Sequence, residues 1–169
     1  MEFIDVILKR RSVRKYKSDP VSRADIEYIL EAARRAPSWA NSQCWKFVVI
    51  TDPGVKEELL KAGQSWIGQA PVIIAACADP AKPGTKGDQQ YYMLDVGIAM
   101  EHLILAAADK GLGTCWIGAF DEDIAKKALN VPSNIRVVAL TPLGHPGEVP
   151  APRPRKSLAE TMCSDKYQE

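Results

Sequence analysis

The stretch from Tyr91 to Lys110 limits the folds open to this chain more than any other part of the sequence. It has a helical pattern, it is apolar on nearly every side, and Gly111 stops it. Such a helix is expected to be buried on most sides. In a chain of 169 residues, this places the helix in the middle of the domain or in a subunit interface. Because Glu101 and His102 interrupt its apolar run, we do not expect it to cross a membrane.

Shorter patterns on either side of this helix predict strands that are separated by helices. Strands are predicted over 45–51, 72–78 and 135–144, and helices over 2–10, 22–36, 53–63 and 121–130. Strands that alternate with helices indicate an α/β layered arrangement. The length of the chain suits a single domain over residues 1–169. The Pro-rich and charged tail, 149–169, is expected to lie extended across another surface.

Charge and cysteine usage argue against several classes of function. The chain has 22 Lys and Arg against 21 Asp and Glu, so it has no overall attraction to nucleic acid or to an anionic membrane. None of the four cysteines lies at metal-ligand spacing from another, and the two histidines are far apart. We therefore expect neither a metal site nor a disulfide framework. Acids precede bases at the start of the chain, the reverse of a secretory signal, so we expect a cytoplasmic protein.

Three stretches and one tail segment hold the candidate functional residues: RRSVRKY (10–16), PSWANSQCWKF (37–47), GLGTCWIGAF (111–120) and RPRKSL (153–158). The first is either a helix end with favourably placed cations or an anion site, in which Arg and Ser bind phosphate. The second is either a turn or a set of amide and hydroxyl donors that face a planar heteroaromatic ring. The third is either a tight connection with Trp116 in the core, or a ligand site with N–H groups freed by Gly118. No Ser-His-Asp arrangement and no Walker A motif is present.

Taken together and in order, these stretches resemble the FMN-dependent nitroreductase family over almost the whole chain. RRSVRKY is similar to the family's Arg-x-Ser-x-Arg/Lys element, and PSWANSQCWKF to its Pro-Ser-x-x-Asn-x-Gln-Pro-Trp element. Residues 95–120 resemble its central helix and the turn behind the flavin, and RPRKSL its C-terminal basic element. The resemblance implies an α+β fold with a central mixed β-sheet flanked by helices. It also implies a homodimer with FMN at the interface and a C-terminal segment that embraces the partner.

The resemblance implies a role for individual residues as well. The FMN phosphate would be held by Arg10, Arg11, Ser12, Arg153 and Arg155. The isoalloxazine ring would be contacted by Arg14 near N1 and O2, by Trp116 and Ile117 behind it, and by Pro37, Ser38, Trp39 and Asn41 from the partner subunit. The Gly118 N–H would face N5. No side chain is expected to be catalytic, because the flavin carries the hydride.

The implied activity is reduction of nitroaromatic, quinone or related acceptors by NAD(P)H, through ping-pong hydride transfer. Two alternatives stay open, namely an FMN-binding protein with little turnover and a flavoenzyme of the same fold that reduces enones or removes halogens. A nucleic-acid patch is disfavoured by the net charge of +1.

The chain departs from the family pattern at three places. Cys44 stands where many members have Pro, Gly118 stands where some have Glu, and residues 79–90 form only a small lid where larger members insert helices. Either Gln64 or Gln69 is expected at the pyrimidine edge of the flavin, and no motif chooses between them.

Overall fold

The computed structural model describes residues 2–168, which form helices around a small sheet. The helices are α1 (Phe3–Lys9), α2 (Arg23–Arg34), α3 (Pro53–Leu60), α4 (Tyr91–Asp109) and α5 (Glu122–Leu129). The strands are β1 (Trp45–Ile50), β2 (Val72–Ala78), β3 (Thr85–Lys86), β4 (Gln89–Gln90), β5 (Gly113–Thr114) and β6 (Arg136–Gly144). Short 3₁₀ turns occupy Trp39–Asn41 and Ser65–Gln69.

The main sheet has the strand order β1-β2-β6-β5, and its neighbouring strands pair antiparallel. A parallel bridge between Ser12 and Thr114 adds the N-terminal segment to the β5 edge and makes the sheet mixed. Strands β3 and β4 form a separate hairpin. The predicted α+β class with a mixed sheet is confirmed. Helices separate the strands along the chain, yet these strands pair antiparallel.

Three of the helices have a side-chain cap at their N-terminus, where backbone N–H groups have no partner within the helix. The Ser22 hydroxyl accepts the Asp25 N–H at 3.0 Å at the start of α2, so the predicted capping pattern is present. Asp52 and Asp121 accept N–H groups in the first turns of α3 and α5. Each such cap contributes about 1 kcal/mol to stability.

The core lies on both faces of β2, which is buried along its whole length. Because side chains alternate along a strand, Ile74 and Ala76 pack with α2 and α4, whereas Ile73 and Ala75 pack with α3 and α5. Strand β2 is thereby enclosed between two layers of helices, and the predicted buried strand is confirmed.

Helix α4 is the central helix, and its position explains its composition. Nine of its residues, from Tyr92 to Ala107, are buried, so the predicted place in the middle of the domain is confirmed. By length and composition the helix would also pass as a membrane span, a property that it shares with core helices of folded domains. Its outward side remains apolar, because Met93, Leu94 and Ile98 are 54%, 55% and 40% exposed.

Two segments that the sequence analysis leaves as loops contain short strands. The segment 79–90 forms the β3–β4 hairpin, whose turn includes Gly87 at a φ of 59°. The segment 111–120 contains β5, which pairs with the end of β6. Strands of two residues are too short to leave an alternating pattern. Residues 151–168 are exposed and form neither helix nor strand.

Candidate functional site

A basic cleft joins the two ends of the chain. It has a volume of about 850 Å³, and its polar lining consists of Arg10, Arg11, Ser12, Arg14, Arg153, Arg155 and Glu101. Five arginines and one glutamate therefore line the cleft. The structure thus brings together the two basic segments that lie at opposite ends of the sequence. Such an excess of arginine in one concave site favours an anion with several oxygen acceptors.

The N-terminal part of the cleft is held against the edge of the sheet. The Val13 N–H donates to the Thr114 carbonyl at 2.9 Å, beside the bridge between Ser12 and Thr114. Gly113 permits this approach, since a Cβ there would lie 2.9 Å from the Val13 Cβ. Val13 is buried, and its neighbours Ser12 and Arg14 line the cleft, because successive side chains of an extended segment point to opposite sides.

Arg11 also stabilises the end of α1. Its Nη1 donates to the carbonyls of Leu8 at 2.6 Å and of Arg10 at 2.8 Å. A cation at the C-terminus of a helix satisfies carbonyl groups that have no helical partner. Arg11 therefore has a structural role in addition to lining the cleft.

The other arginines differ in how much the protein itself engages them. Within residues 2–168, the side chains of Arg10, Arg153 and Arg155 form no hydrogen bond or ion pair. The Arg14 backbone N–H donates to the Glu148 carboxylate at 3.0 Å, which ties the start of the tail to the N-terminal segment. Three guanidinium groups are thus free to bind a ligand from outside this part of the chain.

The second predicted segment is a loop with a left-handed backbone. Ala40, Asn41 and Gln43 have φ angles of 45°, 55° and 45°. Asn tolerates this region, but an alanine there costs about 1 kcal/mol. Such conformations persist only where the surrounding structure holds them.

A buried carboxylate on α4 holds this loop. Asp95, which is 3% exposed, accepts the Trp39 N–H at 2.8 Å and the Ser42 hydroxyl at 3.2 Å. The Cys44 thiol donates to the same carboxylate at 3.7 Å. Burial, together with the nearby Asp95 charge, raises the pKa of Cys44 to about 11, so the thiol keeps its proton at neutral pH. The sequence analysis missed this role of Asp95. The feature of the sequence that could have indicated it is an acidic residue within an apolar helix.

Trp39 links the loop to the small lid over residues 79–90. Its ring stacks on Tyr91 with centroids 6.0 Å apart and planes 19° apart. A Cβ on Gly84 would lie 2.5 Å from Cζ2 of Trp39, so the segment before the hairpin approaches the ring only with glycine at that position. Trp39 remains 44% exposed and can contact a ligand.

The third predicted segment follows the edge of β6. Ile117 and Leu140 exchange two backbone hydrogen bonds of 2.9 Å. The side chain of Ile117 is buried in the core, whereas Trp116 is 41% exposed. Gly118 is exposed, and its N–H donates to no acceptor within residues 2–168. The segment therefore offers an aromatic face and a free donor.

Gln64 lies next to this segment. Its Nε2 donates to the Ala119 carbonyl at 3.2 Å, and its Oε1 accepts the Trp66 indole N–H at 2.9 Å. Of the two glutamines considered from the sequence, Gln64 is thus hydrogen-bonded to Ala119, the residue that follows Gly118.

The predicted residues do not form one site within a single chain. The loop is attached near the start of α4 at Asp95, whereas Arg10 and Arg11 lie beside Ala108, near its end. These positions on α4 are about 20 Å apart at 1.5 Å per residue. Pro37, Ser38, Trp39 and Asn41 are not among the residues that line the basic cleft.

Comparison with known proteins places this geometry in a family. The model of the nitroreductase family matches residues 7–63 and 55–145. An NADH dehydrogenase from Thermus thermophilus is 33% identical over 188 residues, which cover 92% of each chain. An FMN reductase [NAD(P)H] from Bacillus subtilis is 31% identical over 91% of this chain and 70% of its own length. The crystal structure of a nitroreductase family protein from Clostridium novyi NT superposes with a TM-score of 0.83 and 41% identity, over 88% of this chain and 87% of that one. The chain belongs to the nitroreductase family.

Proposed function

We propose that the protein is an FMN-dependent oxidoreductase that uses NAD(P)H to reduce nitroaromatic, quinone or related acceptors. The basic cleft is the observation that carries the proposal, because five arginines and a serine surround it. A related protein from Bacillus subtilis is named for both FMN and NAD(P)H.

The cleft suits the phosphate group of FMN. Arg10, Arg153 and Arg155 have guanidinium groups that the described part of the chain leaves unpaired. Their planar forks match phosphate oxygens, and the Ser12 hydroxyl adds a further donor. Arg11 would strengthen the positive field while it caps α1.

The ring of FMN would extend from the cleft toward the 111–118 segment. Arg14 would stabilise negative charge at N1 and O2, Trp116 would back the ring, and the Gly118 N–H would bond N5. Because the Ile117 side chain lies in the core, Ile117 would support the ring from below by fixing the backbone. FMN, when bound, supplies the hydride chemistry, and these residues orient it and leave one face open.

The separation of the two groups of residues supports a homodimer. If α4 packs antiparallel against its copy, the start of one helix faces the end of the other. Pro37, Ser38, Trp39 and Asn41 from one subunit would then reach the FMN held by its partner.

Exposed apolar residues on α1 and α4 would form this interface: Phe3, Ile4, Ile7, Leu8, Met93, Leu94 and Ile98. A contiguous apolar patch of this kind marks a contact surface. The tail, 149–169, whose residues 151–168 are exposed, would lie across the partner subunit.

The proposal includes a cytoplasmic location, where NAD(P)H is supplied, and no nucleic-acid partner. The two basic segments converge on one cleft, whereas nucleic-acid binding uses a basic stripe along a surface.

The acceptor would bind at an open site, since Thr85–Gln90 is exposed and short. An FMN-binding protein with little turnover and a flavoenzyme that reduces enones or removes halogens are the alternatives. Both keep the cleft and the dimer. Turnover separates the binding protein from the main proposal, and the acceptor that is reduced separates the other flavoenzyme from it.

The test is the visible spectrum of the purified protein before and after anaerobic addition of NADH or NADPH. Flavin bands that bleach support the oxidoreductase and identify the nucleotide. Bands that persist favour the binding protein, and a protein without flavin bands after FMN is supplied contradicts the proposal.

A further inference from the structure

We propose that Asp95 is a positioning residue for the cofactor site. Its carboxylate holds the loop 38–44 in the conformation that presents Trp39 and Asn41 to FMN on the partner subunit. This inference rests on the proposed function, because the loop has a ligand only if FMN binds at the dimer interface. Asp95 itself lies behind the loop and would not touch the cofactor.

The first argument is the setting of the carboxylate. Asp95 lies in a helix whose other buried members are apolar or aromatic, and it is 3% exposed. An ionised carboxylate in such a place is unfavourable unless hydrogen bonds replace its water. Within residues 2–168, its three hydrogen-bond donors come from one short segment, at Trp39, Ser42 and Cys44.

The second argument is where those bonds fall along the loop. The Trp39 N–H and the Ser42 hydroxyl bracket the two consecutive left-handed residues, Ala40 and Asn41. Each bond restrains one end of the strained pair against a rigid helix. The loop is thus held in a conformation that its own sequence does not favour.

The loop also has bonds of its own, and they do not anchor it to the domain. The Asn41 N–H donates to the Ser38 carbonyl at 3.0 Å, and the Gln43 N–H donates to the Ser38 hydroxyl at 3.0 Å. These bonds would move with the loop if it shifted as a unit. The bonds to Asp95 attach the turn to α4, beside the stacking of Trp39 on Tyr91.

Cys44 fits the same arrangement. It stands where many family members have Pro, which carries no donor. In this chain the thiol at that position points to Asp95 and supplies the third bond. Cys44 therefore helps Asp95 to hold the loop, which gives a physical role to a residue that departs from the family pattern.

The test compares Asp95→Ala and Asp95→Asn with Leu103→Ala, all as full-length protein. Leu103 is buried on the same helix, about 12 Å farther along, so its truncation destabilises α4 without removing an anchor of the loop. Asp95→Asn keeps one oxygen that can accept the Trp39 N–H, and serves as the conservative variant.

Three quantities are measured well below the unfolding temperature: the Kd for FMN, the visible circular dichroism of bound FMN, and hydrogen exchange of the 38–44 amides without FMN. Asp95→Ala is expected to raise the Kd about 10- to 100-fold, the loss expected for hydrogen bonds to a charged group. It should also change the dichroism and speed exchange at Trp39. Asp95→Asn should fall between Asp95→Ala and the natural protein, and Leu103→Ala should leave all three quantities near the natural values.

A folded Asp95→Ala protein with unchanged Kd and exchange would overturn the inference. So would a Leu103→Ala protein that loses FMN to the same extent, since the effect would then be general destabilisation. If Asp95→Ala does not fold, Ser42→Ala replaces it, with faster exchange at Trp39 as the expected result. A natural protein that binds no FMN would refute the proposed function instead, and hydrogen exchange would still test the hold on the loop.

Discussion

Glu122 offers a stability prediction whose size follows from its contacts. It lies at the first position of α5 and accepts two hydrogen bonds from Arg136 Nε and one from Nη2, at 2.8–3.0 Å. It also accepts the Val137 N–H at 2.9 Å. Arg136 in turn donates to the Tyr92 hydroxyl at 3.0 Å. One carboxylate therefore connects α5, the start of β6 and α4.

These contacts favour the charged form of the carboxyl. The hydrogen bonds from Arg136, followed by the Val137 N–H and nearby cations, lower the pKa of Glu122 from 4.5 to about 2. At about 1.4 kcal/mol for each pKa unit, this corresponds to about 3 kcal/mol before solvent screening. Because the Glu122 and Arg136 side chains are 24% and 45% exposed, we expect about 1–2 kcal/mol in solution.

The sign of the pH dependence follows from the lowered pKa. The unfolded carboxyl takes up its proton at a higher pH than the folded one, so the stabilisation is complete above pH 4.5 and is lost as the pH falls toward 2. Glu122→Gln should lower the free energy of unfolding at pH 7 by about 1–2 kcal/mol. It should also remove this part of the acid sensitivity.

Urea unfolding at pH 7, 5 and 3 measures both effects, with protein and FMN concentrations held constant because ligand and partner binding shift stability. Glu58→Gln is the matched control, since Glu58 pairs with Lys61 at an exposed site and should change little. Parallel acid curves for Glu122→Gln and the natural protein would refute the reasoning.

Three further predictions concern the site. Replacing both Arg10 and Arg155 by Ala should weaken FMN binding by a factor of 100 or more, since two charge-assisted bonds to phosphate are lost; unchanged flavin retention would contradict the assignment. Gly84→Ala should displace the Trp39 ring, as its Cβ would lie 2.5 Å from that side chain, and should alter the near-ultraviolet dichroism, whereas an unchanged signal would show that the hairpin yields instead. Ile98→Glu should convert the proposed dimer to a monomer in light scattering and reduce FMN binding, because a charge would enter the apolar face of α4; a dimer that persists would place the interface elsewhere.

Much of the secondary structure follows from local patterns. The apolar period of α4, the β-branched run of β2 and the Ser22 capping pattern each act over a few residues, so the sequence alone determines them. The two-residue strands escape such analysis, because pairing with a partner creates them and no local preference does.

The same distinction between local pattern and tertiary contact applies to the candidate site. The sequence alone determined which segments carry arginines, small polar residues and a Gly-rich turn, and the family resemblance connected them with FMN. Only the tertiary structure decided that Arg10 and Arg155 share one cleft, and that Arg10 lies beside Ala108, about 20 Å along α4 from the Asp95 anchor of the loop. Contacts between residues that are distant in sequence depend on how the strands pair and where α4 packs, and no window of neighbouring residues contains that information.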